Sequence, residues 1–303
     1  MAVIAVTGAT GFVGRHLCEM ASSAGIGTRA VPRAALWQQD LDQFLQGADA
    51  VVHLAARAHR NRRDVDDLTE AYQADNVELT DRLGEACKTA GVPRLVFVSS
   101  AGVLGRYSPP EGFSDESPPA PHDAYTRSKL AAEQLVRHRF ADCLETVIIR
   151  PPLIYGPGAT GSFSRIMQLA TSGWPLPLGA MTAPRSLISV RNLCDLLLRV
   201  IHARQASGRC LLVADKEVTS VAELVASIRS AGGRRPRLVR VPPAAVALAL
   251  SLAGRRDEYA SLAKSFVVRA SSALGRLDWA PPFRLPDEIR WTVACASSAG
   301  GRP

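Results

Sequence analysis

The first half of the chain alternates short runs of β-branched and other apolar residues with longer, helix-like stretches. The short runs predict strands at Val3–Val6, Thr28–Val31, Ala50–Leu54, Leu95–Ser99 and Thr146–Arg150. The longer stretches predict helices at Gly11–Ser23, about Leu68–Ala90 and Ala124–Phe140. Such alternation predicts an α/β fold, a doubly wound parallel sheet with helices on both of its faces.

The second half is interrupted repeatedly by prolines and glycines, beginning at Pro151. A helix at Val190–Ala203 and a strand at Arg209–Val213 are predicted, and they are expected to rejoin the sheet. The apolar stretch Val241–Ala253 is predicted to form a packed helix, and Trp174 is expected in a core.

These patterns divide the chain into a sheet domain and a smaller lobe. We expect the sheet domain over residues 1–155, with its sheet completed by about residues 186–214. The C-terminal lobe, over residues 156–185 and 215–303, is expected to bind the substrate.

The composition of the 303 residues is that of a globular protein, with 47% hydrophobic and 21% charged positions. Apolar runs fall short of the roughly 20 residues that a transmembrane helix needs, so no stable membrane insertion is expected. The first residues show no basic segment and no cleavage-site pattern, which predicts a cytoplasmic protein. The six cysteines form no CxxC pair, so we expect reduced thiols and no metal site.

The formal net charge is +8, and arginines cluster at residues 60–63, 234–237 and 255–256. No aromatic residues are interleaved with these clusters, and aromatics make up only 6% of the chain. Because single-stranded nucleic acids bind on stacking aromatics, we interpret the clusters as solvated loops and expect no nucleic-acid partner.

A glycine-rich loop, Thr7-Gly8-Ala9-Thr10-Gly11-Phe12-Val13-Gly14, joins the first strand to the first helix. Glycines at GxxGxxG spacing allow a tight turn and a close approach of the backbone to a diphosphate. The amides that open the following helix can donate to that group. The loop therefore predicts a dinucleotide site.

The end of the second predicted strand bears on which dinucleotide binds. An NAD site usually has an acidic residue there, whereas this strand ends with Val31-Pro32-Arg33. Arg33 could pair with a 2′-phosphate, which favours NADP over NAD. The alternative is that Arg33 points to solvent and the site accepts either cofactor.

Two further elements contain residues that could take part in catalysis. Tyr125 and Lys129 are four residues apart in a predicted helix, so they share a face, and the ammonium is expected to lower the pKa of the phenol. Ser100 follows a strand, at the sheet edge where ligands bind, and could hydrogen-bond a substrate oxygen. The alternative for Ser100 is a cap at the end of the strand.

Together these elements resemble the short-chain dehydrogenase/reductase superfamily, specifically its extended branch, the NAD-dependent epimerase/dehydratase family with a Rossmann-like fold. The similarity extends through Val52–Ala56, Asp75–Val77, Arg150–Gly158 and Leu277–Pro281. The stretch Leu176–Gly179 followed by Arg185-Ser186-Leu187 is similar to bacterial nucleotide-sugar 4-epimerases and 4-keto reductases.

The resemblance implies that Ser100, Tyr125 and Lys129 are catalytic and that Arg185 binds a nucleotide diphosphate. The expected cofactor-binding residues, Arg33 among them, are Gly8, Thr10, Gly11, Phe12, Val13, Gly14, Arg33, Asp40, Leu41, Leu54, Ala55, Ala56, Asn76, Tyr125, Lys129 and Pro152. The expected substrate-binding residues are Ser100, Ala101, Tyr125, Ser162, Phe163 and Arg185.

Two departures from the family's pattern stand out. The chain between Arg33 and Ala50 is short, so the usual helix after the second strand is expected to be missing. Ser162-Phe163 stands where relatives often have an asparagine for the sugar nucleotide.

The resulting hypothesis is NAD(P)-dependent hydride transfer at C4 of a UDP-linked N-acetyl- or 6-deoxyhexose. Arg33 favours a 4-keto-sugar reductase of polysaccharide biosynthesis, in which Tyr125 protonates the C4 oxygen that Ser100 polarises. The alternative is a UDP-hexose or UDP-N-acetylhexosamine 4-epimerase, in which the same residues oxidise C4 and hydride returns to the other face. A reductase of small ketones or hydrophobic alcohols and a non-catalytic cofactor sensor remain open. The resemblance also implies a homodimer through helices around residues 70–90 and 124–140.

Overall fold

The computed structural model describes residues 2–57, 65–252, 254 and 256–300, so the predicted cluster of arginines at 60–63 lies outside the described residues. The strands are β1 (Val3–Thr7), β2 (Gly27–Val31), β3 (Ala50–His53), β4 (Arg94–Val98), β5 (Glu145–Arg150), β6 (Leu153–Tyr155), β7 (Arg185–Ser189), β8 (Arg209–Leu212) and β9 (Val218–Thr219). Six of them form one parallel sheet over the described residues, in the order β2-β1-β3-β4-β5-β8.

The helices of the described residues flank this sheet or build the second lobe. They are α1 (Phe12–Ser23), α2 (Val65–Tyr72), α3 (Leu79–Thr89), α4 (Ala124–Arg139), α5 (Ser162–Thr171), α6 (Val190–His202), α7 (Val221–Ala231), α8 (Pro243–Leu252), α9 (Arg256–Ala263), α10 (Ala273–Arg276) and α11 (Leu285–Gly300). A π-helical turn, Gln73–Glu78, joins α2 to α3, so the predicted long helix here is continuous but contains an irregular turn.

The alternation of side chains along the strands divides the core between the two faces of the sheet. Ile4 and Val6 of β1 face α1 and α6, whereas Ala5 between them faces α3 and α4. Because both faces are covered, the strands are apolar almost throughout. The predicted doubly wound, Rossmann-like α/β fold is confirmed.

The order of the strands reverses between β1 and β3, because the chain moves from β1 outward to β2 and then returns to the other side. Ligands of such sheets bind at this switch point, outside the carboxyl ends of the strands. The glycine loop follows β1 and Leu54-Ala55-Ala56 follows β3, so both predicted segments lie at this place.

The helix that usually follows the second strand is replaced by two short 3₁₀ helices, Ala35–Trp37 and Leu41–Phe44, as the short spacing predicts. Leu36, Leu41 and Leu45 fill the sheet face that a full helix would otherwise cover. Leu41, predicted to bind the cofactor, therefore has its side chain in the core, which leaves its backbone for that contact.

The second lobe contains a small sheet in which β7 pairs with β6 in parallel and with β9 in antiparallel orientation. As predicted, α6 packs on the large sheet and β8 extends it. Residues 186–189, which begin the stretch expected to complete the large sheet, belong to β7 of the small one instead. The chain leaves the large sheet at Pro151-Pro152 after β5, and β7 follows β6 away from that edge.

One expectation about packing in this lobe is wrong: Trp174 has 77% of its surface exposed rather than lying in a core. The predicted helix of Val241–Ala253 is present as α8 and packs on the core of the lobe through Val246 and Leu250, but Val246 is its one buried residue among those described. Ala253 lies outside the described residues. Among the helices of the described chain, none has the length and apolarity to cross a membrane.

Candidate active site

The glycine loop is folded so tightly that a side chain would not fit at Gly8 or Gly14. Gly8 has φ +70°, and a Cβ on Gly14 would lie 2.2 Å from the carbonyl oxygen of Gly8. Gly11 caps α1 and donates its N–H to the Gly8 oxygen at 2.9 Å. The loop brings the backbone and the amino end of α1 to the switch point, which fits a dinucleotide diphosphate.

A buried chain of hydrogen bonds fixes the loops after β1 and β3 to each other. The N–H groups of Leu54 and Ala55 donate to Thr7 Oγ1 at 3.2 and 3.1 Å. Thr7 Oγ1 and His53 Nδ1 are 2.7 Å apart, and His53 Nε2 lies 3.0 Å from Thr80 Oγ1. Because burial lowers the pKa of His53 to about 3, this histidine is neutral and structural.

The catalytic candidates meet where β4 ends and α4 begins. Asp123 caps α4, since its Oδ1 accepts the N–H of Thr126 at 2.7 Å. This cap positions Tyr125 in the first turn, where its phenol is hydrogen-bonded to the side chain of Ser100. Ser100 also accepts the N–H of Gly102 at 3.1 Å, so both roles considered for it, substrate partner and cap, remain compatible with the structure.

The state of the two titratable groups differs from the prediction. Burial and the nearby carboxylate of Asp123 raise the pKa of Tyr125 to about 12, although the hydrogen bond to Ser100 opposes this. Burial also lowers the pKa of Lys129 to about 7, with Glu133 opposing. The expectation that the lysine lowers the tyrosine pKa is therefore wrong, because desolvation and Asp123 raise that pKa and the group that opposes them is Ser100, not Lys129.

The surroundings of Lys129 explain this result. Its side chain is 2% exposed, and Nζ donates to the carbonyl oxygen of Val98 at 2.7 Å while lying 4.1 Å from the centre of the Phe97 ring. Behind it, Glu133 is held by Arg150, whose Nε donates at 2.9 Å. The buried pair of Glu133 and Arg150 was not predicted, and no local motif signals it.

The side chain of Asn76, predicted to contact the cofactor, is hydrogen-bonded to other parts of the protein. Its Oδ1 accepts the N–H of Arg57 at 2.8 Å, and its Nδ2 donates to Ser128 Oγ at 2.9 Å and to the Arg57 oxygen at 3.2 Å. Ser128 Oγ donates to the carbonyl oxygen of Tyr125 at 2.8 Å. Asn76, which lies in the π-helical turn, therefore joins the loop after β3 to the first turn of α4 and acts as a positioning residue.

Arg33 lies after β2 as predicted, but it has a protein partner. Its Nη2 donates to Asp75 Oδ1 at 2.9 Å, and Arg57 Nε donates to the other oxygen of Asp75 at 2.6 Å. The Arg33 side chain remains 68% exposed, whereas that of Asp75 is mostly buried. Sequence reasoning missed Asp75 and Arg57 because they come from separate segments that only the fold brings together.

The remaining candidates differ in how much they present to a ligand. Thr10 and Asp40 are exposed, and Phe12, Val13, Leu54, Ala55 and Ala56 are half-buried around the switch point. Pro152 is buried after β5. Ala101, predicted to bind substrate, is fully buried and donates its N–H to Pro151, so its side chain faces the core.

The second lobe contains a cavity of about 300 Å³ whose wall includes Ser162 and Arg185 together with apolar side chains such as Leu224 and Phe266. Arg185 opens β7 and donates from Nη2 to the carbonyl oxygen of Lys264 at 2.7 Å. Burial lowers the pKa of Arg185. Phe163 points away from this cavity into the core of the lobe.

A dinucleotide loop at the switch point, with Ser100, Tyr125 and Lys129 at the carboxyl edge of the same sheet, defines a Rossmann-fold enzyme of the short-chain dehydrogenase/reductase type. The model of the NAD dependent epimerase/dehydratase family matches residues 4–214. The chain belongs to this family and is an enzyme of its extended type, as the sequence predicts.

Individual relatives cover nearly the whole chain. A UDP-glucose 4-epimerase of Vibrio cholerae is 33% identical over 323 residues, which cover 99% of this chain and 97% of that protein. A ceramide reductase of Caulobacter vibrioides is 26% identical, covering 99% of this chain and 96% of that protein. The solved structure of MoeE5 in complex with UDP-glucose and NAD shares the fold, with a TM-score of 0.78, 24% identity and coverage of 99% and 100%.

Proposed function

We propose that the protein transfers a hydride at C4 of a UDP-linked hexose, acting as a 4-keto-sugar reductase. The observation that supports this most is the pair of Ser100 and Tyr125, half-buried at the carboxyl edge of the sheet, in which the raised pKa keeps the phenol protonated at neutral pH. A protonated phenol beside a hydroxyl is the arrangement that reduction of a ketone needs, because the new alkoxide must receive a proton.

Each residue of the group has a distinct part in this proposal. The nicotinamide, when bound, supplies the hydride. Ser100 donates a hydrogen bond to the ketone oxygen, and Tyr125 delivers its proton there as negative charge develops. Lys129, one turn further along α4, stabilises the resulting phenolate, and Arg185 in the second lobe binds the diphosphate of the sugar nucleotide.

We infer that NADP is preferred over NAD. Arg33 is exposed at the end of β2, and Asp75 engages its Nη2 atom. A guanidinium held at one nitrogen can still offer its other donors to a 2′-phosphate.

A 4-epimerase is the second candidate, and the relative from Vibrio cholerae favours it because it matches 99% of the chain. In that case Tyr125 takes the proton from the C4 hydroxyl and later returns it. A reductase of hydrophobic ketones is a third candidate, favoured by the ceramide reductase relative and by the apolar wall around Arg185.

One set of assays separates these candidates. The protein is mixed with NADPH and a UDP-linked 6-deoxy-4-keto-N-acetylhexosamine, and loss of reduced nicotinamide is compared with formation of the C4 alcohol. Parallel reactions contain NAD with UDP-glucose or UDP-N-acetylglucosamine, or NADPH with a long-chain ketone. Equimolar NADPH loss with the first substrate supports the proposal. Formation of a C4 epimer without net loss of cofactor, or reduction of the long-chain ketone alone, would replace it.

Pairing of two copies through α3 and α4 remains a prediction. The two helices are already joined within one chain, where Arg139 donates to Asp81 at 2.7 Å. The molar mass of the protein in solution would test it.

A further inference from the structure

Helix α8 is apolar on all sides. Ser251 is the single polar residue among its ten, Pro243–Leu252. Val246 and Leu250 pack on the core of the second lobe, whereas Leu248 and Leu252 are 61% and 82% exposed. A helix on the surface of a globular protein normally turns polar residues outward, so the outer face of α8 is unusual.

The segment that leads into α8 extends this surface. The N–H of Leu176 donates to the carbonyl oxygen of Arg237 at 3.1 Å, and that of Val239 donates back to Leu176 at 2.9 Å. Trp174 lies two residues before this pairing, and both Trp174 and Val239 are exposed. We call residues 234–252 with Trp174 the basic-apolar rim. Four of the large exposed hydrophobic residues in the described chain lie on it, namely Trp174, Val239, Leu248 and Leu252.

The sequence around these residues is mainly basic. From Leu224 through Arg256 it contains seven arginines and no aspartate or glutamate, and Asp257 and Glu258 follow in α9. Arg234, Arg235, Arg237 and Arg240 are exposed in the structure, immediately before α8. Helix α8 has no charged residue of its own, and the positive charges beside it belong to the segment that precedes it.

Hydrogen bonds from the core of the lobe hold the segments of the rim in place. Arg229 of α7 is buried and donates to the carbonyl oxygen of Ala170 in α5 at 3.0 Å and to that of Trp174 at 2.8 Å. It also donates to the carbonyl oxygen of Arg237 at 3.3 Å. One buried guanidinium thus fixes both chain segments that present the exposed tryptophan and arginines.

The chemistry of the rim favours one partner among those that bind basic surfaces. Two copies of the chain meeting through the rim would bring arginines against arginines, which is unfavourable. Nucleic acids offer no apolar surface for Leu248 and Leu252. An anionic bilayer accommodates both features, because apolar side chains enter the boundary of the acyl chains while arginines meet the lipid phosphates. Tryptophan is enriched at the same depth.

We propose that the basic-apolar rim docks the protein on the surface of an anionic phospholipid membrane, without a spanning segment. This goes beyond the proposed function, and it does not depend on which substrate the active site reduces.

The test is co-sedimentation of the full chain with vesicles. Vesicles of phosphatidylcholine alone are compared with vesicles containing about 30% phosphatidylglycerol, at about 0.05 M and about 0.5 M salt. We expect binding to the anionic vesicles at low salt, release at high salt, and a blue shift of tryptophan emission that Trp174→Phe removes. Absence of binding, or equal binding to the neutral vesicles, would overturn the proposal.

Paired variants separate the two parts of the rim. Arg235→Gln with Arg240→Gln should weaken partitioning roughly fivefold per arginine. Leu248→Ser with Leu252→Ser should weaken it by at least about tenfold, because the inserted apolar area is lost. The matched control is Arg204→Gln with Arg209→Gln, which removes the same charge from exposed positions before and at the start of β8.

The vesicle binding of these variants either supports or refutes docking through the rim. The melting temperature is measured for each, so that loss of binding is separated from loss of folding, and the arginine pair repeats the test without altering α8. We expect the control pair to bind within about twofold of the unaltered protein. Equal losses of vesicle binding for both arginine pairs would show general charge attraction and refute docking through the rim. A dimer that Leu248→Ser with Leu252→Ser converts to a monomer, without vesicle binding, would refute it as well.

Discussion

Tyr125 and Lys129 share one face of α4, yet the ammonium of Lys129 is directed at the carbonyl oxygen of Val98, 2.7 Å away. Lys129 is buried and Tyr125 is half-buried, and desolvation raises the pKa of the phenol while it lowers that of the amine. The spacing of two residues on a helix therefore identifies neighbours, whereas the dielectric around them sets their charge.

The Tyr125→Phe variant should lose about 10²- to 10⁴-fold in kcat, because it removes the proton donor and leaves the ring. Cofactor affinity, measured by nicotinamide fluorescence, should stay within about twofold. Tyr72→Phe is the matched control, since its ring centre lies 6.1 Å from that of Tyr125. Undiminished turnover in Tyr125→Phe would refute the assigned role.

The Lys129→Met variant should be inactive but more stable, because a buried ammonium whose pKa falls to about 7 opposes folding. This cost is fully present below about pH 7 and disappears as the pH rises toward the ordinary lysine value of about 10.5. We expect the melting temperature to rise by about 2–5 °C at pH 7 and the gain to shrink by pH 10. A gain that grows with pH would contradict this account.

Arg33 tests the choice of cofactor. Arg33→Asp should shift the ratio of kcat/KM from NADP toward NAD, because an acidic residue repels the 2′-phosphate and can accept from the ribose. Arg29→Gln is the control, since Arg29 donates to the carbonyl oxygens of Phe44 and Gln46 instead. An unchanged ratio would show that Arg33 does not read the phosphate.

At the scale of elements, the glycine loop is the clearest case in which a local motif alone fixes a conformation. The required close approach of Gly14 to Gly8 leaves no room for a side chain, and the amino end of α1 is thereby brought to the switch point. The turn between α2 and α3 shows the opposite case, since the partners of its Asn76 side chain, Arg57 and Ser128, come from elsewhere in the chain.

Gly14→Ala should weaken cofactor binding by at least about tenfold and lower the melting temperature, because a Cβ would lie 2.2 Å from the Gly8 oxygen. Gly275→Ala is the control, since a Cβ there meets nothing within 4 Å. Calorimetric titration with NADP and NAD measures the first effect. Normal affinity in Gly14→Ala would mean that the loop is not the diphosphate site.

At the scale of the whole molecule, Asp215 ties the second lobe to the end of β8. It accepts from the hydroxyl of Tyr155 at 2.7 Å, from Asn192 Nδ2 at 2.7 Å and from the N–H of Ser189 at 3.1 Å. These partners belong to β6, α6 and β7, so one buried carboxylate links elements of both sheets.

Asp215→Ala should lower the melting temperature by about 6–15 °C, because three buried donors lose their acceptor at roughly 1–3 kcal/mol each. Asp215→Asn retains one acceptor oxygen and should cost less. Thermal unfolding followed by circular dichroism compares the two, and equal losses would show that the carboxylate's hydrogen bonds are not what holds the lobes together.

Much of the large sheet was predictable, because its strands are short apolar runs bounded by turns and each helix between them shows its own period. The missing helix after β2 was predictable from the short spacing between Arg33 and Ala50. The pairing of β7 with β6 was not, because strand pairing depends on where the chain goes after Pro151-Pro152. The exposure of Trp174 and α8 was missed for the same reason, since an apolar residue is buried only where another element covers it.

The sequence by itself determined the α/β alternation, the glycine loop and the residue types of the candidate catalytic group, because each of these depends on residues that are close together in the sequence. Only the tertiary structure decided the protonation of Tyr125 and Lys129, the partner of Arg33 and the supporting place of Asn76. These properties depend on burial and on contacts between distant segments. Burial and long-range contact are set by the packing of the whole chain, and a local pattern does not contain them.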